Sequence, residues 1–127
     1  MKGRISHEPF LPPNRQPGLP LTPDRLLRCI GASGRLRGFD YAAYMIERVA
    51  NGQSSVYLIT KRLYPETAKY FGVKPNAIEH GLRNLVFHCW NHGDREALWK
   101  IAGRRLENAP TNADFIDMLA AYIKNMN

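Results

Sequence analysis

A chain of 127 residues with 44% apolar and 23% charged content suits one globular domain and is too short for two comfortable ones. Eighteen Lys and Arg against eleven Asp and Glu give a net charge of +7, with an isoelectric point near 9.7, a balance that favours a polyanionic partner, most simply nucleic acid. No apolar run reaches membrane-spanning length, no secretion-signal core opens the chain, and two distant cysteines, Cys29 and Cys89, without a CxxC suit a reduced cytoplasmic protein with free thiols better than a disulfide scaffold.

Residues 1–21 contain Pro9, Pro12, Pro13, Pro17 and Pro20, a density that forbids a regular helix or a central strand. They read as a flexible, proline-rich arm. Its Lys2, Arg4 and Arg15 could graze a phosphate backbone, but a passive tail is the preferred reading. Residues 22–127 read as a single helical domain. Thr22-Pro23-Asp24 is a helix start: a hydroxyl cap, a proline in the first turn and an acid at the positive end. Leu26, Leu27 and Ile30 form its apolar side, and Gly31 stops it. The loop Gly31–Gly38 carries Arg35 and Arg37. It is not a P-loop, because no strand precedes it and no GK[ST] follows; its arginines are either backbone contacts or solvated charges. A helix is expected over Phe39–Asn51, burying Tyr41, Ala42, Met45, Ile46 and Val49. After Asn51-Gly52, Ser54 or Ser55 is expected to cap a helix through Val56, Leu58, Ile59 and Leu63 that displays Lys61 and Arg62. Pro65 then kinks or divides it.

Glu66–Trp90 is the most informative stretch. A short helix with Ala68, Tyr70 and Phe71 ends at Gly72, which suits the left-handed backbone of a helix terminus. Val73 is expected to be a buried turn residue, and Pro75 opens the next helix. Ile78, Leu82, Leu85, Val86 and Cys89 recur at helical spacing as one buried stripe. At about 100° per residue the opposite face carries Asn76, His80, Arg83, Asn84 and Phe87, with Glu79 on the shoulder. Gly81 interrupts this helix, where it permits close packing of the preceding one or simply weakens it. Helix, glycine turn and second helix with a polar face make the pattern of a helix-turn-helix, whose second helix enters the major groove of DNA. Beyond Asn91-His92-Gly93, Asp94 caps a helix bearing Ala97, Leu98, Trp99 and Ile101, closed by Gly103. Thr111 with Asp114 approximates a capping box for a last helix with Phe115, Ile116, Leu119, Tyr122, Ile123 and Met126. With no alternating strand pattern anywhere, the expected class is all-α.

The site candidates divide by chemistry. Arg83 is the foremost base reader, since a guanidinium bonds both acceptors of guanine; a surface salt bridge is the alternative. Glu79 could complete a capping box with Asn76, or accept from a cytosine amino group, as the family likeness given below suggests. Asn76 and Asn84 suit adenine, and His80 could donate to a base or a phosphate. Lys61, Arg62, Lys69 and Lys74 are phosphate candidates. Exposed Phe87 suggests coverage by a partner or another helix. His88 and His92 have a chelating spacing but no second ligand pair, so no metal is expected. Trp90 and Trp99 read as core anchors. No nucleophile with a placed base appears; hence no enzyme activity, small-molecule substrate or cofactor is expected.

From about Leu21 to Asn127 the chain resembles the C-terminal effector domain of the sporulation initiation response regulator. The likeness rests on Gly31 with Gly38-Phe39-Asp40-Tyr41, on Ile59-Thr60-Lys61-Arg62-Leu63-Tyr64-Pro65, and on Ala68-Lys69-Tyr70-Phe71. It continues through Glu79, Arg83, Trp90 and Gly93, then Pro110-Thr111-Asn112, Asp114-Phe115-Ile116 and Met118-Leu119-Ala120. The resemblance implies a bundle of about six helices and a transcriptional regulator that binds double-stranded DNA, as a possible homodimer on tandem boxes. Two departures stand out. The family protein carries a receiver ahead of the effector, where this chain has only the arm, so control by phosphorylation in cis is expected to be absent. Ala77 and His80 stand where the family tends to place arginines, while Glu79 and Arg83 match, so a different or weakened DNA preference is expected. A module that pairs with a full-length regulator is the alternative function, and RNA binding a more distant third.

Overall fold

The computed structural model describes residues 20–127. The stretch 1–19, and with it nearly all of the expected arm, lies outside the described residues. Six helices account for the regular structure: α1 (Pro23–Cys29), α2 (Arg37–Ala50), α3 (Leu63–Phe71), α4 (Pro75–His92), α5 (Arg95–Ala102) and α6 (Asn112–Met126). No strand occurs among the described residues, so the class is all-α, as the apolar spacing implied.

Helix α2 is the centre of the bundle and packs against α1, α3, α4 and α6. Its Phe39, Ala42, Met45 and Ile46 meet Ile78, Leu82 and Leu85 of α4 and Phe115, Ile116 and Leu119 of α6 in one buried core. These positions recur every three or four residues, which puts them on one side of each helix. The two ends of the helical bundle are tied together: Asn127 Nδ2 donates to the Leu21 carbonyl at 2.9 Å, and the Leu21 amide donates back to Asn127 Oδ1 at 3.0 Å. Leu21 is itself buried, so the last residue assigned to the arm belongs to the core.

Local chemistry sets the helix ends. Thr22 accepts from the Arg25 amide, Asp94 from that of Ala97 and Thr111 from that of Asp114, each satisfying an otherwise orphaned donor. Gly72 (φ 70°) ends α3 and Gly103 (φ 82°) ends α5, both in the left-handed conformation.

Five local readings require correction. The helix expected from Val56 to Leu63 does not form. Leu58 adopts φ 57°, which breaks any helix there, and residues 51–62 form turns, bends and irregular backbone. Helix α3 instead starts at Leu63, so Pro65 falls in its first turn and neither kinks nor divides it. Ser54 caps nothing; its hydroxyl donates to Glu66 at 3.0 Å. Val73 is only half-buried. Finally, Gly81 serves α2 rather than α3. A Cβ on Gly38 of α2 would lie 2.0 Å from the Gly81 carbonyl oxygen, so the two helices touch backbone to backbone at this crossing.

Candidate nucleic-acid interface

Helices α3 and α4 pack on one another across the turn Gly72–Lys74, and the second is presented outward. Its buried stripe is Ile78, Gly81, Leu82, Leu85, Val86 and Cys89. The other side exposes Asn76, His80, Arg83, Asn84 and Phe87, the set read from helical spacing. The Arg83 side chain is 60% exposed and the Glu79 side chain 26%.

Arg83 does not stand free. Its guanidinium is paired with the Glu79 carboxylate one helical turn earlier, an arrangement that favours glutamate N-terminal to the cation. His80 Nε2 lies 3.4 Å from the other oxygen of that carboxylate. Glu79 therefore does not close a capping box with Asn76. Helix α4 begins at Pro75 with Lys74 as its cap residue and no side-chain cap bond, which leaves Asn76 inside the first turn. At its backbone, Glu79 is held by α6: Asn112 Nδ2 donates to the Glu79 carbonyl at 3.3 Å and to the Tyr64 hydroxyl at 3.0 Å. One amide thus pins the start of α6 to both helices of the motif. Burial raises the Tyr64 phenol above its usual 10, and the Asn112 bond opposes that rise.

The exposed face is divided between two grooves. Arg83, Glu79 and Phe87 line one, with Thr60 and the 109–113 segment opposite. His80 and Asn84 line the other, against Arg35, Leu36 and Arg37. Lys61, Arg62, Lys69 and Lys74 are all exposed. They do not form one cluster. Lys61 follows Thr60 at the first groove, and Arg62 lines a separate depression with Ser54 and Glu66. Lys69 sits in the last turn of α3 and Lys74 caps α4.

A further hollow carries acids and aromatic rings. Asp24, Asp40 and Glu47 line a hollow with Tyr44 and Tyr70, whose rings stack at 4.3 Å. Tyr70 is 66% exposed. Asp24 is paired there with Arg28 at 3.0 Å, and the Arg48 guanidinium lies over the Tyr44 ring. Sequence reasoning missed Asn112 as an organiser of the motif, because its partners lie 33 and 48 residues away. The only available signal was the Pro110-Thr111-Asn112 likeness.

The remaining candidates are structural. Trp90 and Trp99 are half-buried and packed on the core, with Arg95 over Trp90 at 3.9 Å and Arg105 over Trp99 at 5.0 Å. His88 and His92 are 5.6 Å apart by ring centroid, and the described residues contain no group of three potential ligands able to hold a metal. Cys29 and Cys89 are free thiols. Burial pushes Cys89 up to about 12, and burial with the Asp94 carboxylate pushes Cys29 up to about 11. No helix among the described residues is long and apolar enough to cross a membrane.

A glycine-turned helix pair that presents a polar, arginine-bearing face defines a helix-turn-helix domain, a class built to bind DNA. The model of the family described as sporulation initiation factor Spo0A C terminal matches residues 24–123 of the 127. The chain belongs to this family of DNA-binding effector domains of a sporulation regulator.

Proposed function

We propose that this chain is a sequence-specific DNA-binding transcriptional regulator that places α4 in the major groove. The observation that carries the reading is Arg83: an exposed guanidinium on the outward face of α4, steadied by Glu79. A guanidinium so held loses less conformational freedom when it bonds the two acceptors of guanine. The second Glu79 oxygen, 3.4 Å from His80 Nε2, is the acceptor for a cytosine amino group once His80 turns to the DNA, and Asn76, His80 and Asn84 face the same way for bases or backbone. Lys61, Arg62, Lys69 and Lys74 supply phosphate contacts around them. Tandem boxes occupied by two copies, as the family resemblance implies, fit a domain of this size that covers one short element.

The test is selection of bound duplexes from a random pool with the intact chain, followed by affinity measurements over a salt series. One motif is enriched, and binding weakens steeply with salt. Arg83→Ala costs about 1–3 kcal/mol on the selected duplex and relaxes preference at one base pair. An equal loss on every duplex would refute base reading by Arg83.

A further inference from the structure

The second groove beside α4 has a wall that the helix-turn-helix itself does not provide. Arg35 and Arg37 lie at the start of α2, opposite His80 and Asn84. Their place is fixed by the Gly38–Gly81 crossing. With no side chain at either position the two backbones touch, so the segment just before Gly38 is held against the flank of α4. Both arginines are exposed, and among the described residues neither guanidinium meets a carboxylate. The nearest acid in sequence, Asp40, lines the tyrosine hollow instead.

This charge placement is unfavourable in the isolated domain. The positive end of a helix disfavours cations, yet α2 begins with Arg37, and Leu36 as its cap residue makes no side-chain bond. Asp40 in the first turn of α2 complements the dipole, but neither arginine is ion-paired, so the two cations keep a local positive field that an anion relieves. The geometry points to Arg35 and Arg37 as a phosphate clamp that grips the DNA backbone beside α4, across the helix from the Arg83 groove. This inference rests on the proposed docking of α4 and extends it: the backbone is held on both flanks of the reading helix, by a loop outside the motif.

The test compares the intact chain with the double variant Arg35→Gln/Arg37→Gln, and with Arg35→Lys/Arg37→Lys, on the selected duplex and on random-sequence duplex over a salt series. Log affinity falls with log salt by about 0.9 per phosphate contact, so each contact is worth roughly tenfold at 0.1 M relative to 1 M salt. The glutamine variant is expected to lose affinity equally on both duplexes, to lower the salt slope by about 2, and to keep the base preference. The lysine variant is expected to keep the slope. Neutralising single phosphates as methylphosphonates should weaken the intact chain at positions where the glutamine variant no longer responds. An unchanged slope in the glutamine variant, with the intact chain binding normally, overturns the clamp alone. A changed base preference overturns it in favour of base contacts. Failure of the intact chain to bind any duplex at low salt overturns the clamp together with the docking of α4. Matching thermal melts establish that both variants are folded.

Discussion

Replacing Gly38 by alanine tests the crossing on which the two-sided face depends. The added Cβ would sit 2.0 Å from the Gly81 oxygen and 2.5 Å from its carbonyl carbon, roughly 1.5 Å inside the separation at which non-bonded atoms attract. Neither atom belongs to a side chain that could swing aside, so α2 and α4 must separate. Overpacking of this kind costs about 1–3 kcal/mol, and a clash with backbone belongs at the upper end. Alanine recovers at most about 1 kcal/mol of helix propensity, leaving a net loss of about 2 kcal/mol. For a domain of this size that lowers the melting temperature by roughly 10 °C. Gly34→Ala is the control. Its Cβ would meet only the end of the Arg28 side chain, at 3.3 Å, and a stability within about 0.5 kcal/mol of the parent is expected. Far-UV circular dichroism during heating and in urea reads both. If Gly38→Ala melts with Gly34→Ala, the backbone contact is not what sets the α2–α4 geometry.

Asn112→Ala removes two hydrogen bonds and should destabilise by about 1–3 kcal/mol in urea denaturation; because the lost bond favoured the phenolate, Tyr64 should also titrate higher in ultraviolet absorbance at alkaline pH. Cys89 keeps its proton in the folded state up to about 12 but only to about 9 once unfolded, so its contribution is fully present below pH 9 and is lost as pH rises through 12. In that window it lowers stability by about 1.4 kcal/mol per pH unit, and Cys89→Ala should flatten the alkaline limb of the stability curve. Lys74→Ser places an acceptor at a cap residue with extended backbone (φ −86°, ψ 152°); it should stabilise the free domain by about 1 kcal/mol, measured by thermal melting, and weaken duplex binding with a salt slope shallower by about one.

What the sequence disclosed follows the range of the forces involved. Caps at Thr22, Asp94 and Thr111 act across three residues, and the left-handed stops at Gly72 and Gly103 act within one turn, so each was readable from neighbours alone. The α4 stripe was equally plain, because a helix buried on one side repeats its pattern in the chain. Errors arose where a distant group or a single backbone angle decides. Apolar spacing through Val56, Leu58 and Ile59 is compatible with a helix, and nothing nearby announces that Leu58 takes a positive φ. Gly81 was recognisable as a packing glycine, but its partner is Gly38, more than forty residues earlier, rather than the adjacent α3. Glu79 was ambiguous between cap and contact, and the start of α4 at Pro75 removes the capping role. The division of the α4 face into two grooves was invisible, because each outer wall comes from a segment remote in the chain.

The six helix starts separate by chemistry in a way that bears on the proposed role. Helices α1, α5 and α6 have side-chain caps, from Thr22, Asp94 and Thr111, each with an acid in the first turn. Helices α2, α3 and α4 have Leu36, Arg62 and Lys74 at the cap position and no side-chain bond, although α2 and α3 also carry a first-turn acid, Asp40 and Glu66, and Arg35, Arg37 and Lys61 lie close by in sequence. Nearness to the α4 face does not explain this division, since the capped start of α6 borders the Arg83 groove. Each uncapped start forgoes about 1 kcal/mol, and its cations add a further unfavourable interaction with the helix dipole. A phosphate reverses both effects, because it accepts from exposed amides and neutralises the neighbouring cation. On the proposed reading, the free domain is less stable than its own caps show it could be, and contact with the DNA backbone restores the difference at each uncapped start that it reaches.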